Sequence, residues 1–287
     1  MTAQAALPAG TEGAETMAIW QLEGHAVEKV WGRRDLPAMF GDTGTRAGPI
    51  GEIWFADDAA PDLLVKYLFT SEKLSVQVHP DDAKAQASGH RCGKEEAWYV
   101  LSAEPGAVIG AGFAAAMTGD ELRAAALDGT IETLMTWHPV KPGDFFHVPA
   151  GTVHAIGAGV SLVEIQQNVD LTYRLYDYGR PRELHLEEGI AAAVAAPFVP
   201  TEIRPNGPAR DGLAASDKFM IERLTGGMAH QVAASAQAPV WIMPIAGDCA
   251  ASDAALAPGT VWLADAPTRI TLADGAIALA ARAVQTN

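Results

Sequence analysis

Short apolar runs alternate with polar residues along most of the chain, and this spacing predicts strands rather than long helices. In the first two thirds, the predicted strands cover residues 53–55, 63–69, 74–78, 97–101, 107–110, 145–149 and 161–165. In the last third, they cover residues 218–224, 239–245, 260–263 and 276–280. The pattern therefore predicts a mainly β protein.

Two alanine-rich segments interrupt this pattern and predict helices near residues 118–135 and 186–196. A stretch rich in proline and glycine predicts a linker at 201–212, between a domain at 17–200 and a second domain at 213–287. Residues 1–16 have little apolar bulk, and we expect them to be a disordered leader. Pro-Gly followed by a strand and a turn occurs at Pro142 and again at Pro258, which suggests two related β-barrels.

The amino-acid composition and net charge limit the kinds of binding partner and the cellular compartment that we expect. The chain has 20 Lys and Arg against 35 Asp and Glu, a formal net charge of −15, which argues against nucleic-acid binding and against an anionic membrane surface. It shows neither a signal peptide nor an apolar stretch of membrane-spanning length, so we expect a cytoplasmic protein. Its two cysteines are too few for a disulfide scaffold and fit a reducing compartment. The sequence makes no prediction for the oligomeric state.

Side chains with metal-binding chemistry recur on predicted strands. Residues two apart in a strand share a face, so Gln77 lies beside His79, and Lys94 shares a face with Glu96. A turn rich in glycine and proline brings His154 inward. Taken singly, these features also fit a solvent-facing strand, a surface ion pair and a structural histidine. Taken together, imidazole and carboxylate donors on three strands suit Zn²⁺, Fe²⁺ or Mn²⁺.

These residues carry a family resemblance. The spacing Gly-x5-Pro-x-Gly-x2-His from Gly143 to His154 is similar to the second motif of the cupin superfamily, small β-barrels that hold one metal. Four blocks resemble type I mannose-6-phosphate isomerases in their short bacterial form, and they begin at Gln77, Gly93, Pro149 and Glu164. The resemblance runs from about Lys29 to Ile190 and departs from the family at residues 32–34, where a second glycine is usual.

The resemblance implies a fold and a metal site. The expected fold has two cupin-type jelly-roll β-barrels with a small helical insertion, and the second barrel is degenerate. One zinc ion per chain would be surrounded by Gln77, His79, Glu96 and His154. The amide of Gln77 is a weak zinc donor that can act through a water, and strand parity selects Glu96 over Glu95 because Glu96 shares the face of Lys94.

The resemblance also implies catalytic residues. Glu164 stands at the place of an acidic residue proposed as the base, although an exposed or ion-paired carboxylate is the structural alternative. Arg174 corresponds to the active-site arginine, and Lys94 and Arg174 would bind a sugar phosphate. We expect Arg180 and Arg182, which flank a proline, to be solvated.

These residue types suit an isomerase. Moving a proton between C1 and C2 of a sugar requires a base and an electrophile for the carbonyl. The prediction is a zinc-dependent isomerase of mannose 6-phosphate and fructose 6-phosphate that works through an enediolate. The alternatives are an iron-dependent cupin oxygenase, which would normally carry a denser histidine set, and a sugar-binding cupin without catalysis.

The C-terminal half has no matching metal residues. Placing Pro258 on Pro142 puts Ile270 at the position of His154, and His230 is the one histidine after the predicted linker. We therefore predict a metal-free second barrel that has no activity of its own.

Overall fold

In the computed structural model, residues 19–40, 48–199 and 204–284 are described. The predicted leader at 1–16 lies outside the described residues, as do residues 201–203 of the predicted linker. Within the described ranges, most elements are strands that pair into four sheets, so the predicted mainly β fold is confirmed.

The N-terminal two thirds contains twelve strands in the described ranges. They are β1 Ile19–Gln21, β2 His25–Arg33, β3 Ile50–Phe55, β4 Leu63–Phe69, β5 Val76–Val78, β6 Glu96–Ala103, β7 Val108–Phe113, β8 Met135–Pro139, β9 Phe145–Val148, β10 His154–Ile156, β11 Val160–Gln167 and β12 Tyr173–Tyr176. The helices are α1 Asp82–Ala87, α2 Gly119–Asp128, α3 Ile131–Leu134 and α4 Leu186–Ala192, with one 3-10 turn at Ala38–Phe40.

The remaining strands follow α4 in the chain. They are β13 Arg204–Pro205, β14 Arg210–Ala215, β15 Phe219–Thr225, β16 Met228–Val232, β17 Val240–Ala246, β18 Cys249–Ala251, β19 Ala254–Ala255, β20 Trp262–Ala264, β21 Thr268–Leu272 and β22 Ile277–Ala283. β13 and β14 form a hairpin that begins in the segment predicted as linker and continues beyond it to Ala215, with Arg204 opposite Gly212. The division of the chain at 201–212 stays a prediction.

The first predicted helical segment is divided into α2 and α3, and the second is shorter than expected. The first begins at Thr118, whose side chain and that of Glu121 form a capping box, and it breaks at Gly129, which adopts a left-handed conformation with φ of 82°. The second ends at Ala192 instead of 196, because the following backbone bonds to neighbouring segments. Val194 N donates to Gly151 O at 2.7 Å, and residue 197 is a proline.

The four sheets pack face to face as layers. The five-stranded sheet has the order β12-β5-β10-β7-β8, and the six-stranded sheet has the order β2-β3-β4-β11-β6-β9. These two enclose one apolar cluster that includes Leu68, Val100 and Ile109. Helices α2 and α4 cover the outer face of the five-stranded sheet. The candidate site lies between the same two sheets, next to this cluster.

The other two sheets belong to the C-terminal half. The seven-stranded sheet, β1-β20-β17-β22-β15-β14-β13, packs on the six-stranded sheet through a core that includes Tyr67, Val163, Ile221 and Leu279. Its other face packs on the four-stranded sheet, β16-β21-β18-β19. The edge strand β1 is the first described strand, with Trp20 opposite Leu263, and the last described strand, β22, belongs to the same sheet.

Candidate metal and substrate site

Three buried side chains converge between the five- and six-stranded sheets. His154 begins β10, His79 directly follows β5, and Glu96 begins β6 in the facing sheet. His154 Nε2 lies 3.1 Å from Glu96 Oε1, and His79 Nε2 lies 3.4 Å from Glu96 Oε2. In the described ranges this is the one group of three His, Cys, Asp or Glu residues that could hold a metal ion, with ligand atoms all within 4.8 Å of one another.

Hydrogen bonds orient both imidazoles toward this point. Nδ1 of His79 is 2.8 Å from Leu171 O, and Nδ1 of His154 is 2.9 Å from Thr152 O. A carbonyl only accepts, so each Nδ1 carries the proton and donates it, which leaves each Nε2 unprotonated, with a lone pair that can accept a hydrogen bond or bind a metal. Burial, with the nearby charge of Lys94, lowers the pKa of His79 to about 3, and burial also lowers the pKa of His154. Both rings are therefore neutral near pH 7, as metal ligands must be.

The carboxylate of Glu96 completes the set. Both of its oxygens are buried, and neither accepts a hydrogen bond of good geometry within the described chain. Burial alone would raise the pKa of Glu96, but the positive charge of Lys94 outweighs it and holds this pKa well below its usual value. Two neutral imidazoles and one ionised carboxylate are the donors of catalytic His2Glu zinc sites, so these residues fit a divalent metal.

Gln77 lies at the edge of this group. It is opposite His154 in the pairing of β5 with β10, and its amide nitrogen is 3.3 Å from His154 Nε2. Its amide oxygen accepts from Ser75 Oγ at 3.1 Å. In this orientation the amide presents its nitrogen toward His154, so direct ligation by Gln77 would require the amide to turn over.

Lys94 connects the candidate metal ligands to the carboxylate predicted as the base. Its Nζ is buried, 2.8 Å from Glu96 Oε2 and 3.9 Å from Glu164 Oε1, and it donates to His79 Nε2 at 3.0 Å. Burial would lower the pKa of Lys94, but the charges of Glu164 and Glu96 raise it above its usual value. Lys94 is therefore a permanent cation between the two carboxylates.

Glu164 is buried and faces the same space, in a row of cross-strand neighbours. Lys66, Glu164 and Trp98 are aligned on β4, β11 and β6. Trp98 Nε1 donates to Glu164 Oε2 at 3.0 Å, and Lys66 Nζ is 3.4 Å from Glu164 Oε1. The sequence left an exposed or an ion-paired carboxylate as the structural alternative for Glu164. The side chain is not exposed, but it is ion-paired.

Arg174 stands on the opposite wall. It pairs with Gln77 in the register of β12 and β5, so Arg174, Gln77 and His154 form a row on the five-stranded sheet. No hydrogen-bond or ion-pair partner of its guanidinium occurs among the residues that the structure describes. One cavity is lined by side chains from both walls, among them Lys66, Gln77, Lys94, Glu164, Arg174 and Arg182. The residues singled out in the sequence for substrate and catalysis thus line one space.

The expectation that Arg180 and Arg182 are solvated is wrong. Arg182 forms a two-pronged ion pair with the buried carboxylate of Asp177, with both contacts at 2.6 Å. Arg180 contacts Asp177 at 3.1 Å and Glu72 at 2.8 Å. The sequence position beside Pro181 does not reveal this pairing, because Asp177 is buried by tertiary packing.

Sequence reasoning missed two charged residues of the cavity. Lys66 sits in the middle of the fully buried strand β4, and its Nζ lies 4.4 Å from the ring centroid of Trp54. Glu52 is buried in β3, pairs with Lys29 at 3.2 Å and accepts from Trp54 Nε1 at 2.6 Å. The sequence signal that could have found them is a charged residue inside an otherwise apolar strand. Such a residue is expected to be buried, and a buried charge requires a partner.

In the C-terminal half, the residue at the position matched to His154 is Ile270, and it lies in the hydrophobic core. Ile270 is fully buried and lies opposite His230 in the pairing of β16 with β21. His230 Nε2 is 2.9 Å from Thr225 O, a local structural contact. One metal per chain stays a prediction.

Known proteins with similar sequences share one name. It is 48% identical to the mannose-6-phosphate isomerase of Streptococcus mutans over 134 residues, 45% of this chain and 42% of that protein. It is 37% identical to a probable mannose-6-phosphate isomerase of Bacillus subtilis over 193 residues, 64% of this chain and 56% of the relative. Both relatives carry the name mannose-6-phosphate isomerase, the second as a probable one. The matched segments span about half the length of these relatives.

The fold agrees with this relationship. The crystal structure of mannose 6-phosphate isomerase from Bacillus subtilis superposes with a TM-score of 0.80 at 25% sequence identity, over 92% of this chain and 99% of that one. No protein-family model matches the chain. The resemblance to mannose-6-phosphate isomerases, first seen in sequence motifs, is confirmed by these relatives and by the cupin-like fold. None of the described helices has the length and apolar character needed to span a membrane.

Proposed function

We propose that the chain interconverts mannose 6-phosphate and fructose 6-phosphate, with zinc held by His79, Glu96 and His154 and with Gln77 as a further ligand, directly or through a water. The observation that carries the proposal is the cavity lined by Glu164, Lys94 and Arg174. It borders the candidate metal group, because Lys94 contacts Glu96 and His79. The names of the relatives support the substrate pair.

The reaction needs one proton to move between neighbouring carbons. In the open-chain aldose, the carboxylate of Glu164 removes the proton from C2, and the C2–H electrons form the C1–C2 double bond of an enediolate. The protonated Glu164 then returns a proton to C1. The O2 hydroxyl loses its proton as C2 becomes the ketone, and O1 gains one, so that reactant and product have the same atoms. A bound zinc ion would polarise the carbonyl and stabilise the negative charge on its oxygen.

The surroundings of Glu164 suit this role. Trp98 Nε1 holds Oε2 at 3.0 Å, which leaves Oε1 to face Lys66, Lys94 and the cavity. A carboxylate fixed at one oxygen is positioned without losing its second oxygen as a proton acceptor. Lys66 Nζ at 3.4 Å and Lys94 Nζ at 3.9 Å place positive charge beside this second oxygen.

The substrate phosphate is a dianion, and the chain carries a net charge of −15. Arg174 and Lys94 supply positive charge at the cavity, and the guanidinium of Arg174 has no competing carboxylate within the described ranges. A planar guanidinium matches phosphate oxygens or a developing oxyanion with two hydrogen bonds. We therefore assign substrate binding to Arg174 and Lys94.

A coupled assay that converts mannose 6-phosphate to fructose 6-phosphate tests the activity. The proposal predicts turnover by the purified protein, loss of turnover after chelation, and recovery with zinc. Elemental analysis of protein purified without added metal tests the metal, and one zinc per chain is expected. Absence of turnover with zinc present would overturn the activity, whereas turnover with one tightly bound iron per chain would overturn the zinc assignment alone.

A further inference from the structure

A second cavity, of about 300 Å³, lies in the C-terminal half. Strand parity places it on the side of the seven-stranded sheet that faces away from the N-terminal half. On β15, Ile221 packs in the core shared by the two halves, whereas Met220 and Glu222 line the cavity. Arg210 Nη1 donates to Gln231 O at 3.3 Å across the gap between β14 and β16. The cavity therefore opens between the two sheets of the C-terminal half.

The polar groups of this cavity leave one cation without a counter-charge. The carboxylate of Glu222 is fully engaged, because Arg210 binds both of its oxygens and Asn206 Nδ2 donates to Oε1 at 2.6 Å. Arg282, in contrast, donates through Nη2 to the thioether sulfur of Met220 at 3.3 Å. Within the described ranges, no carboxylate lies at ion-pair distance from Arg282.

The charges and walls of the cavity select a class of ligand. Two arginines and one glutamate give it a net charge of about +1, in a chain of net charge −15. A planar carboxylate matches the guanidinium fork with two parallel N–H···O bonds. A dianionic phosphate would exceed the cavity's positive charge beside the carboxylate of Glu222. Val232, Val240 and Ala280 supply an apolar wall for a short aliphatic chain.

From this arrangement we propose that the C-terminal cavity binds a small aliphatic monocarboxylate, whose carboxylate is held by Arg282. The site is separate from the cavity of Glu164 and Arg174, because the shared core lies between them. It gives the C-terminal half a ligand-binding role that does not depend on the proposed isomerase activity.

Isothermal titration of the full-length, zinc-loaded protein with butyrate tests this proposal, with butyramide and inorganic phosphate as comparison probes at constant ionic strength. We expect saturable binding of butyrate and at least tenfold weaker binding of the other two. Arg282→Met should abolish butyrate binding. Arg282→Lys, which keeps the charge and the aliphatic stem, should weaken it about tenfold because the planar fork is lost.

Two control variants locate the binding. Arg269→Met removes an exposed arginine of β21, and Arg174→Met removes the cation of the first cavity. Both should bind butyrate with unchanged affinity. The proposal is overturned if the wild type shows no saturable butyrate binding, if phosphate binds more tightly than butyrate, if Arg282→Met and Arg282→Lys both bind like the wild type, or if Arg174→Met loses the binding.

Discussion

Two adjacent glutamates at the start of β6 point in opposite directions and have different surroundings. Glu96 faces His79 and His154 between the sheets, whereas Glu95 pairs with His147 Nε2 at 2.8 Å. Both side chains are buried. Comparing variants of the two therefore separates the effect of where a side chain points from the effect of its burial. This makes Glu95 a matched control for the metal assignment.

Glu96→Gln should lose tightly bound zinc, because a neutral amide replaces the anionic donor of the three-residue group. Zinc content after gel filtration is the measurement, and we expect less than about a tenth of an equivalent, since lost ligands weaken a site by orders of magnitude. Glu95→Gln should retain a full equivalent. Loss of zinc from both variants alike would show that general disturbance of β6, and not ligation, explains the effect.

The depressed histidine pKa values predict acid sensitivity of the metal-free chain. The unfolded chain takes up a proton at His79 near pH 6.5, but burial delays this in the folded state until about pH 3. The unfolded state therefore binds more protons between these values, and the free energy of unfolding must fall as the pH drops from about 6.5 toward 3. Thermal melts of chelated protein across this range measure the fall.

His79→Gln should flatten this pH dependence, because the residue that takes up the extra proton on unfolding is gone. His90→Gln is the control, since His90 is exposed, and it should follow the wild type. If His79→Gln and the wild type show the same slope, the pH dependence comes from other groups.

Strand parity correctly predicted which of the two glutamates faces the space between the sheets. It placed Gln77 beside His79 and chose Glu96 over Glu95, because a period of two is fixed by the backbone. It did not reveal Lys66, since a single lysine in an apolar strand carries no information about which carboxylate it meets. Nor did it give the orientation of the Gln77 amide, which depends on Ser75 and His154 from the surrounding fold.

At the level of the elements, the backbone at Gly93, just before β6, packs closely against the backbone at Pro80 and Asp81, just after β5. A Cβ on Gly93 would lie 2.5 Å from Pro80 O and 2.5 Å from the carbonyl carbon of Asp81. Lys94 N also donates to Pro80 O at 3.0 Å. This close backbone approach keeps Lys94 and Glu96 next to His79, one residue before Pro80.

Gly93→Ala should therefore weaken zinc affinity at least tenfold, because backbone atoms cannot move aside as a flexible side chain can. Competition with a chelator of known affinity measures this. Gly89→Ala is the control: its Cβ would meet nothing within 4 Å, although its φ of 85° is strained for alanine. It should cost about 1 kcal/mol of stability and leave zinc affinity unchanged. Equal zinc affinity in Gly93→Ala and the wild type would contradict this account of the turn.

Elements with strong local signals were predicted well, and those fixed by distant contacts were not. The apolar run at Leu63–Phe69 coincides with β4, and α2 begins where the first helical segment was predicted to begin, directly after its N-cap Thr118. The end of α4 was placed too late because alanine-rich sequence favours continued helix, whereas Val194 pairs with Gly151. β1 was not predicted, since its pairing with β20 joins residues far apart in sequence.

For the whole molecule, the core shared by the six- and seven-stranded sheets joins the two halves. Leu279 is fully buried there, whereas Leu127 on α2 is 66% exposed. Leu279→Ala should lower the free energy of unfolding by about 2–5 kcal/mol, and Leu127→Ala should change it by less than about 0.5 kcal/mol.

Denaturant unfolding followed by fluorescence and by circular dichroism measures both values. Because the core is shared, we also expect Leu279→Ala to shift a single transition that both probes report together. Separate transitions, with only one of them shifted by Leu279→Ala, would show that the halves unfold independently.

The proposed function requires Glu164 to move a proton at C1 and C2 of a hexose 6-phosphate beside the candidate metal ligands. The most direct test follows deuterium incorporation by NMR when mannose 6-phosphate is incubated in D₂O with zinc-loaded protein. The wild type should incorporate deuterium at C1 or C2 as it turns over. Glu164→Gln should do so about 10²–10⁴-fold more slowly with unchanged zinc content, because it keeps the shape of the side chain but removes the base. Exchange at the wild-type rate in Glu164→Gln would contradict the account.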